Sequence, residues 1–124
     1  MELEVLNMDL TVCTLACPED FDPGKDFFFM GRTDNEISLV CRKEDVPEKT
    51  LEREDGWRGF RIRGVLDFSL IGILARISSL LAEAGISIFT LSTYQTDYIL
   101  VREGDFERAL ALLSNHGYGI LREI

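Results

Sequence analysis

Residues 64–103, GVLDFSLIGILARISSLLAEAGISIFTLSTYQTDYILVRE, carry a strand end, a helix and a polar-tipped hairpin in one uninterrupted run. Ile73, Leu74, Ile77, Leu80, Leu81 and Ala84 recur at intervals of three and four, the spacing that lines up one face of an α-helix. Arg76, Ser79 and Glu83 fall on the opposite, solvated face. The spacing predicts a helix that begins just after Ser69, holds Gly72 in its first turn and stops at Gly85 in a left-handed conformation. Ile86–Thr93 then reads as a strand, and Tyr98–Arg102 pairs back as the next one.

The pattern continues on both sides of this run. Asp105 opens a second helix whose Phe106, Ala109, Leu110 and Leu113 form one apolar stripe, closed by His116-Gly117. Tyr118–Ile124 reads as a final short strand. Upstream, WRGFRIRGV from Trp57 to Val65 is a strand with a bend or bulge near Gly59. Strand, helix, strand, strand, helix, strand, with both helices on one face of an antiparallel four-stranded sheet, is an α+β, ferredoxin-like βαββαβ arrangement.

The N-terminal part has less structure to read. Leu10–Ala16 is a strand bounded by Asp9 and Pro18, and CPEDFDPGKD is a loop. Phe27–Gly31 and Ile37–Arg42 make a hairpin around RTDNE. EDVPEKTLEREDG is a charged connection, at most a short surface helix between Pro47 and Gly56.

Bulk properties narrow the function classes. The chain has 124 residues and 46% hydrophobic content, enough for one compact body or two fused halves. Its 22 acidic and 13 basic residues give a net charge of -9, which repels nucleic acid and anionic membranes. No apolar run reaches the length of a membrane span, and MELEVLNMDL lacks the basic start of a signal peptide, so the expected location is cytoplasmic. Cys13, Cys17 and Cys41 are expected as reduced thiols; one C-x3-C pair and a lone His116 do not make a zinc site. Neither a nucleophile motif nor a phosphate-cradling loop is present, so the residues point to no enzyme and no cofactor.

LDFS with Gly72, LLAEAGISIF across the helix-to-strand junction and STYQTDYILV over the hairpin resemble the ACT family of amino-acid-binding regulatory domains. The likeness is greatest to tandem ACT proteins related to aspartokinase regulatory regions and to the CASTOR arginine sensors. VCTLA, FFFMGRTDNEISLVC and GWRGFRIRG are similar more loosely. The resemblance implies an incomplete N-terminal ACT-like unit over residues 1–56 and a complete ACT domain over 57–124. Between Leu15 and Phe27 no apolar helical stripe exists, so the first helix of the N-terminal unit is expected to be missing.

The resemblance also implies an amino-acid ligand held between the loop entering the helix and the following hairpin. The matching positions are Ser69, Leu70, Ile71 and Gly72 on one side, and Thr93, Tyr94, Gln95, Thr96 and Asp97 on the other. Amide groups at a helix start favour a carboxylate, and Asp97 favours an amino or guanidinium group by about 1.5–3 kcal/mol, the usual net value for a charged hydrogen bond. Each position has a second reading as structure. Ser69 serves equally as a helix cap, Gly72 as relief for helix packing, and Gln95, Thr96 and Asp97 as turn residues. Two functions follow from the pattern: an amino-acid sensor assembled as a homodimer, or a ligand-free dimerisation or protein-interaction module.

Overall fold

A computed structural model of the chain describes residues 1–63 and 72–122. Its strands are β1 (Glu2–Thr14), β2 (Phe28–Arg32), β3 (Ile37–Arg42), β4 (Glu52–Ile62), β5 (Ile88–Ser92), β6 (Asp97–Arg102) and β7 (Gly119–Leu121). Its α-helices are α1 (Ile73–Glu83) and α2 (Phe106–Asn115). The chain divides into two compact units: Met8–Trp57, and Met1–Asn7 with Arg58–Ile124. Strands β1 and β4 therefore each run through both. No helix among the described residues is long and apolar enough to cross a membrane.

In the helical unit, formed by Met1–Asn7 and Arg58–Ile124, the strands are ordered β7, β1, β4, β6, β5. The mixed α+β, ferredoxin-like character read from the sequence holds, with one addition. Residues at the start of β1 lie between β4 and β7, and β7 runs parallel to β1, pairing Glu2 with Gly119 and Leu3 with Ile120. Strands β5 and β6 form an antiparallel hairpin. Leu3, Phe60, Ile62, Ile99 and Val101 of the strands meet Ile77 and Leu81 of α1 and Phe106, Ala109, Leu110 and Leu113 of α2 in one core. Full burial of a side chain of this size contributes about 1.5–3 kcal/mol.

Both helices end in the same way, and that ending aims the chain back into the sheet. Gly85 and Gly117 take φ of 74° and 94°, which a residue with Cβ adopts at a cost. The amides of Ile86 and Tyr118 then donate to the carbonyls of Leu81 and Leu113, five residues back, at 2.9 and 3.1 Å. All four of these side chains are in the core, so each stop couples a backbone turn to apolar contact. The glycine expected to end α1 does so.

The start of α1 differs from the sequence reading. The N-cap is Gly72, left-handed at φ 80° and ψ 0°, and no side chain caps the helix. The amide of Arg76 donates the first helical bond to the Gly72 carbonyl at 2.9 Å, so Gly72 precedes the first turn and does not sit within it. Asp105 does occupy the N-cap of α2, but its carboxylate bonds the Arg108 guanidinium at 3.0 Å and caps no amide. The turn Glu103–Asp105 already has helical curvature and runs straight into α2, which leaves Asp105 without the extended backbone that capping by a side chain needs.

In the strand unit, Met8–Trp57, the order is β2, β3, β1, β4. Here β1 pairs antiparallel with β3, and β3 with β2. Cys13, Leu15, Phe21, Ile37, Leu39 and Cys41 form its core, and a turn at Pro18–Asp20 stands where the sequence offered no helix. The charged segment after Pro47 is not a helix: Glu52–Asp55 open β4. The Leu51 amide donates to the Thr14 carbonyl at 2.9 Å, so pairing with β1 extends these exposed residues. The elements also repeat with a shift of 60 residues. β2, β3 and the turn Lys43–Asp45 begin at 28, 37 and 43; β5, β6 and the turn Glu103–Asp105 begin at 88, 97 and 103.

The sequence placed a bend or bulge near Gly59, but two glycines of β4 have separate roles. Gly56 carries the positive φ of 85°. Gly59 is needed for close approach instead, because a Cβ there would lie 3.1 Å from the Ile99 carbonyl oxygen and would overlap the Leu100 side chain.

Candidate functional site

The hairpin between β5 and β6 is built by its own threonines. The Thr93 amide donates to the Thr96 carbonyl at 2.9 Å, and the Thr96 amide donates to Thr93 Oγ1 at 3.3 Å. Thr93 Oγ1 also lies 3.2 Å from the Thr96 carbonyl oxygen as a donor. Thr96 is 7% exposed, and its hydroxyl donates to the carbonyl of Ile62 at 2.7 Å. This bond ties the hairpin tip to the C-terminal end of β4. With Gly59 facing Ile99 and Leu100, it also sets β4 and β6 antiparallel.

Thr93 and Thr96 are thus engaged by the fold. Asp97 starts β6 opposite Ser92, whose hydroxyl donates to Asp97 Oδ1 at 2.6 Å. The second carboxylate oxygen has no hydrogen bond of its own among those described, so an incoming cation meets a carboxylate already oriented by a neutral donor. Tyr94 is 81% exposed, and Gln95 is exposed beside it. A large, rigid, amphipathic ring standing out of a hairpin tip offers a surface for an aliphatic or planar cationic group.

On the other side of the expected site, Ser69, Leu70 and Ile71 lie outside the described residues. Gly72 lines a cleft of about 360 Å³ with Ile73, Arg76, His116, Gly117 and Tyr118. No residue of the hairpin 93–97 lines that cleft. Sequence reasoning placed Arg76 on the solvated face of α1 and used His116 as a helix end and a rejected zinc ligand, so it missed that the two line one cleft. The available signal was positional: each sits within four residues of a left-handed glycine, Gly72 or Gly117.

Titratable groups elsewhere have structural causes. Burial pushes the Cys41 thiol up to about 12, with the charges of Cys13 and Asp45 adding to it, and burial likewise raises Cys13. Cys17 is exposed and donates to the Glu19 carboxylate, which raises the thiol and lowers the acid. All three cysteines are free. Among the described residues no three His, Cys, Asp or Glu side chains are grouped to hold a metal ion.

A family model for the ACT domain matches residues 52–115, more than half of the chain. The chain belongs to the ACT domain family. A solved structure from Agrobacterium tumefaciens is similar to this ACT protein at 35% identity over 99% of this chain and 93% of that one, with a TM-score of 0.86. An aspartate kinase from Synechocystis is similar at 19% identity and TM-score 0.69 over 99% of this chain and 28% of that one. The regulatory subunit of aspartate kinase from Thermus thermophilus, in a ligand-free form, is similar at 11% identity and TM-score 0.66 over 93% and 96%. No curated protein matches the ACT chain. The ACT match begins at the first residue of β4 and ends at the last residue of α2, so it includes the whole hairpin 93–97.

Proposed function

We propose that the chain is a cytoplasmic amino-acid-binding regulatory protein of the ACT type, acting by binding and not by catalysis. The observation that carries this reading is the hairpin 93–97 within the ACT match: its threonines hold the turn, and Asp97 presents there a carboxylate oriented by the Ser92 hydroxyl. In this reading Asp97 takes the amino or guanidinium group, and Ser69, Leu70, Ile71 and Gly72 supply the carboxylate side. Residues 57–124 act as the ACT domain proper, and residues 1–56 as an incomplete ACT-like unit. The shift of 60 residues between the two strand pairs supports that division. Binding regulates by differing affinity for two arrangements of the protein or its assembly.

A homodimer fits the sheet. Strand β5 ends the strand order and exposes Thr90 and Ser92, so a second copy has an edge to pair with. A monomeric mass by light scattering at high protein concentration would count against it.

Thermal unfolding with each of the twenty amino acids tests the function. A ligand at a hundred times its Kd adds about 2.7 kcal/mol to the folded state. Asp97→Ala is expected to remove that shift and to leave the unliganded protein folded, because its only described partner is the Ser92 hydroxyl. Absence of any shift at millimolar concentrations sinks the sensing role and leaves the interaction-module reading.

A further inference from the structure

We propose that the cleft between the start of α1 and the end of α2 is a second small-molecule site, one for an oxyanion, in which Arg76 and His116 hold carboxylate or phosphate oxygens. The cleft measures about 360 Å³ and is lined by side chains from both helical ends, with Met1, Gly72, Gly117 and Tyr118 completing its wall. This size falls within the range of about 300–1,000 Å³ usual for small-molecule sites.

Its charge is distinctive. In this same unit Arg61, Arg63, Arg108 and Arg122 each pair with a carboxylate, and Arg58 lies over the Phe106 ring at 4.6 Å. Arg76 makes no ion pair or side-chain hydrogen bond among the described residues, although the chain carries 22 acids. No carboxylate is among the described residues that line the cleft. A guanidinium in this setting keeps its flat fork of donors available, and the fork matches two oxygens of one carboxylate or phosphate.

His116 adds a second, directed group. Its Nδ1 lies 2.9 Å from the Leu112 carbonyl oxygen, which can only accept, so Nδ1 carries a proton. That bond fixes the tautomer and leaves Nε2 as the remaining ring nitrogen, a donor to an anion once the ring is charged. The two glycines finish the fit. A Cβ at Gly72 or at Gly117 would meet nothing within 4 Å, so bare backbone borders open space at both positions.

The site shares Gly72 with the amino-acid site proposed above but uses neither Asp97 nor the hairpin, so the two can fail separately. The test is a two-dimensional amide NMR titration of the full chain with malonate and, separately, inorganic phosphate, at constant pH and ionic strength. Saturable shifts are expected at the amides of Gly72, Ile73, Gly117 and Tyr118. Arg76→Gln should weaken the apparent affinity at least about tenfold, His116→Gln should weaken it less, and Asp97→Ala should leave it unchanged. Arg76 is exposed, so its variant is expected to keep the remaining spectrum. Saturation by malonate alone assigns a carboxylate ligand, and by phosphate alone a phosphorylated one; either outcome supports the site. Shifts that do not saturate with either anion, or equal affinity in Arg76→Gln, would overturn it.

Discussion

Replacing Thr96 with Val asks whether its hydroxyl belongs to the fold. The side chain is 7% exposed, and Oγ1 donates to the Ile62 carbonyl 34 residues away at 2.7 Å. Val keeps the shape, removes the donor and leaves a carbonyl with a lost partner inside the protein. Such a loss costs about 1–3 kcal/mol, offset by up to about 0.8 kcal/mol for the added apolar group, so a net loss of about 1–2 kcal/mol is expected. For a chain of this length that corresponds to a fall in Tm of roughly 4–8 °C. Urea unfolding followed by far-ultraviolet circular dichroism should show a lower midpoint with an unchanged slope. Thr93→Val is the control: Thr93 is exposed, water can replace its hydroxyl, and its effect should stay within about 0.5 kcal/mol. If Thr96→Val unfolds with wild-type stability, or if Thr93→Val matches it, the anchoring role assigned to Thr96 is wrong.

Gly59→Ala should destabilise by about 1–3 kcal/mol, because the new Cβ meets the Ile99 carbonyl at 3.1 Å between paired strands, whereas Gly31→Ala, with nothing within 4 Å, should change the urea midpoint little. Ellman's reagent at mildly alkaline pH should find one thiol in the native protein, Cys17, and three in urea; rapid native reaction of Cys13 or Cys41 would contradict their burial. Glu19→Ala should speed the Cys17 reaction, since the Glu19 carboxylate now favours its thiol form. Asp55 is held below the usual carboxylate range by the Thr11 hydroxyl at 2.6 Å and then by Arg53. Its folded value lies below the unfolded one, so its contribution is present above the unfolded pKa of about 3.9 and is lost as pH falls through the folded value. Thr11→Val should therefore lower stability at neutral pH, with the gap to wild type narrowing in acid unfolding curves; a gap that is constant with pH would argue against the link.

The legible parts of this fold are those where one physical signal dominates. The three-and-four spacing gave α1 its buried face, where Ile77 and Leu81 are fully enclosed, and the apolar run 37–42 coincides with β3. Gly85 and Gly117 marked the helix ends because only a left-handed residue closes them in this way. β1 was read only from Leu10 because it passes from one unit to the other and changes the buried face: Leu3, Leu6, Leu10, Thr11 and Cys13 are enclosed, which breaks a period of two. The start of β4 was hidden for a different reason. Glu52, Arg53, Glu54 and Asp55 are all exposed, so no alternation marks them, and their extension comes from the partner strand. Chain-local patterns found the hairpin but not the cleft of Arg76 and His116, which are far apart in sequence and line one cavity only through the packing of the two helices.

The repeat of 60 residues sorts the hairpin residues further. At Thr33 the turn is built as at Thr93: the Thr33 amide donates to the Glu36 carbonyl at 2.9 Å, and Thr33 Oγ1 accepts from the Glu36 amide at 3.2 Å. A hydroxyl that bonds the same turn in both places belongs to the hairpin's own geometry, and Thr93 needs no ligand to account for it. The following positions diverge. Thr96 is buried against β4 where Glu36 is exposed, and Asp97 stands where the buried Ile37 packs into the core of the strand unit. An apolar side chain at the start of β3 therefore serves packing, and a carboxylate at the start of β6 cannot serve it in the same way. Of Thr93, Thr96 and Asp97, Asp97 is thus the one whose chemistry the turn leaves least explained, which is why its substitution separates a binding hairpin from a merely well-made one.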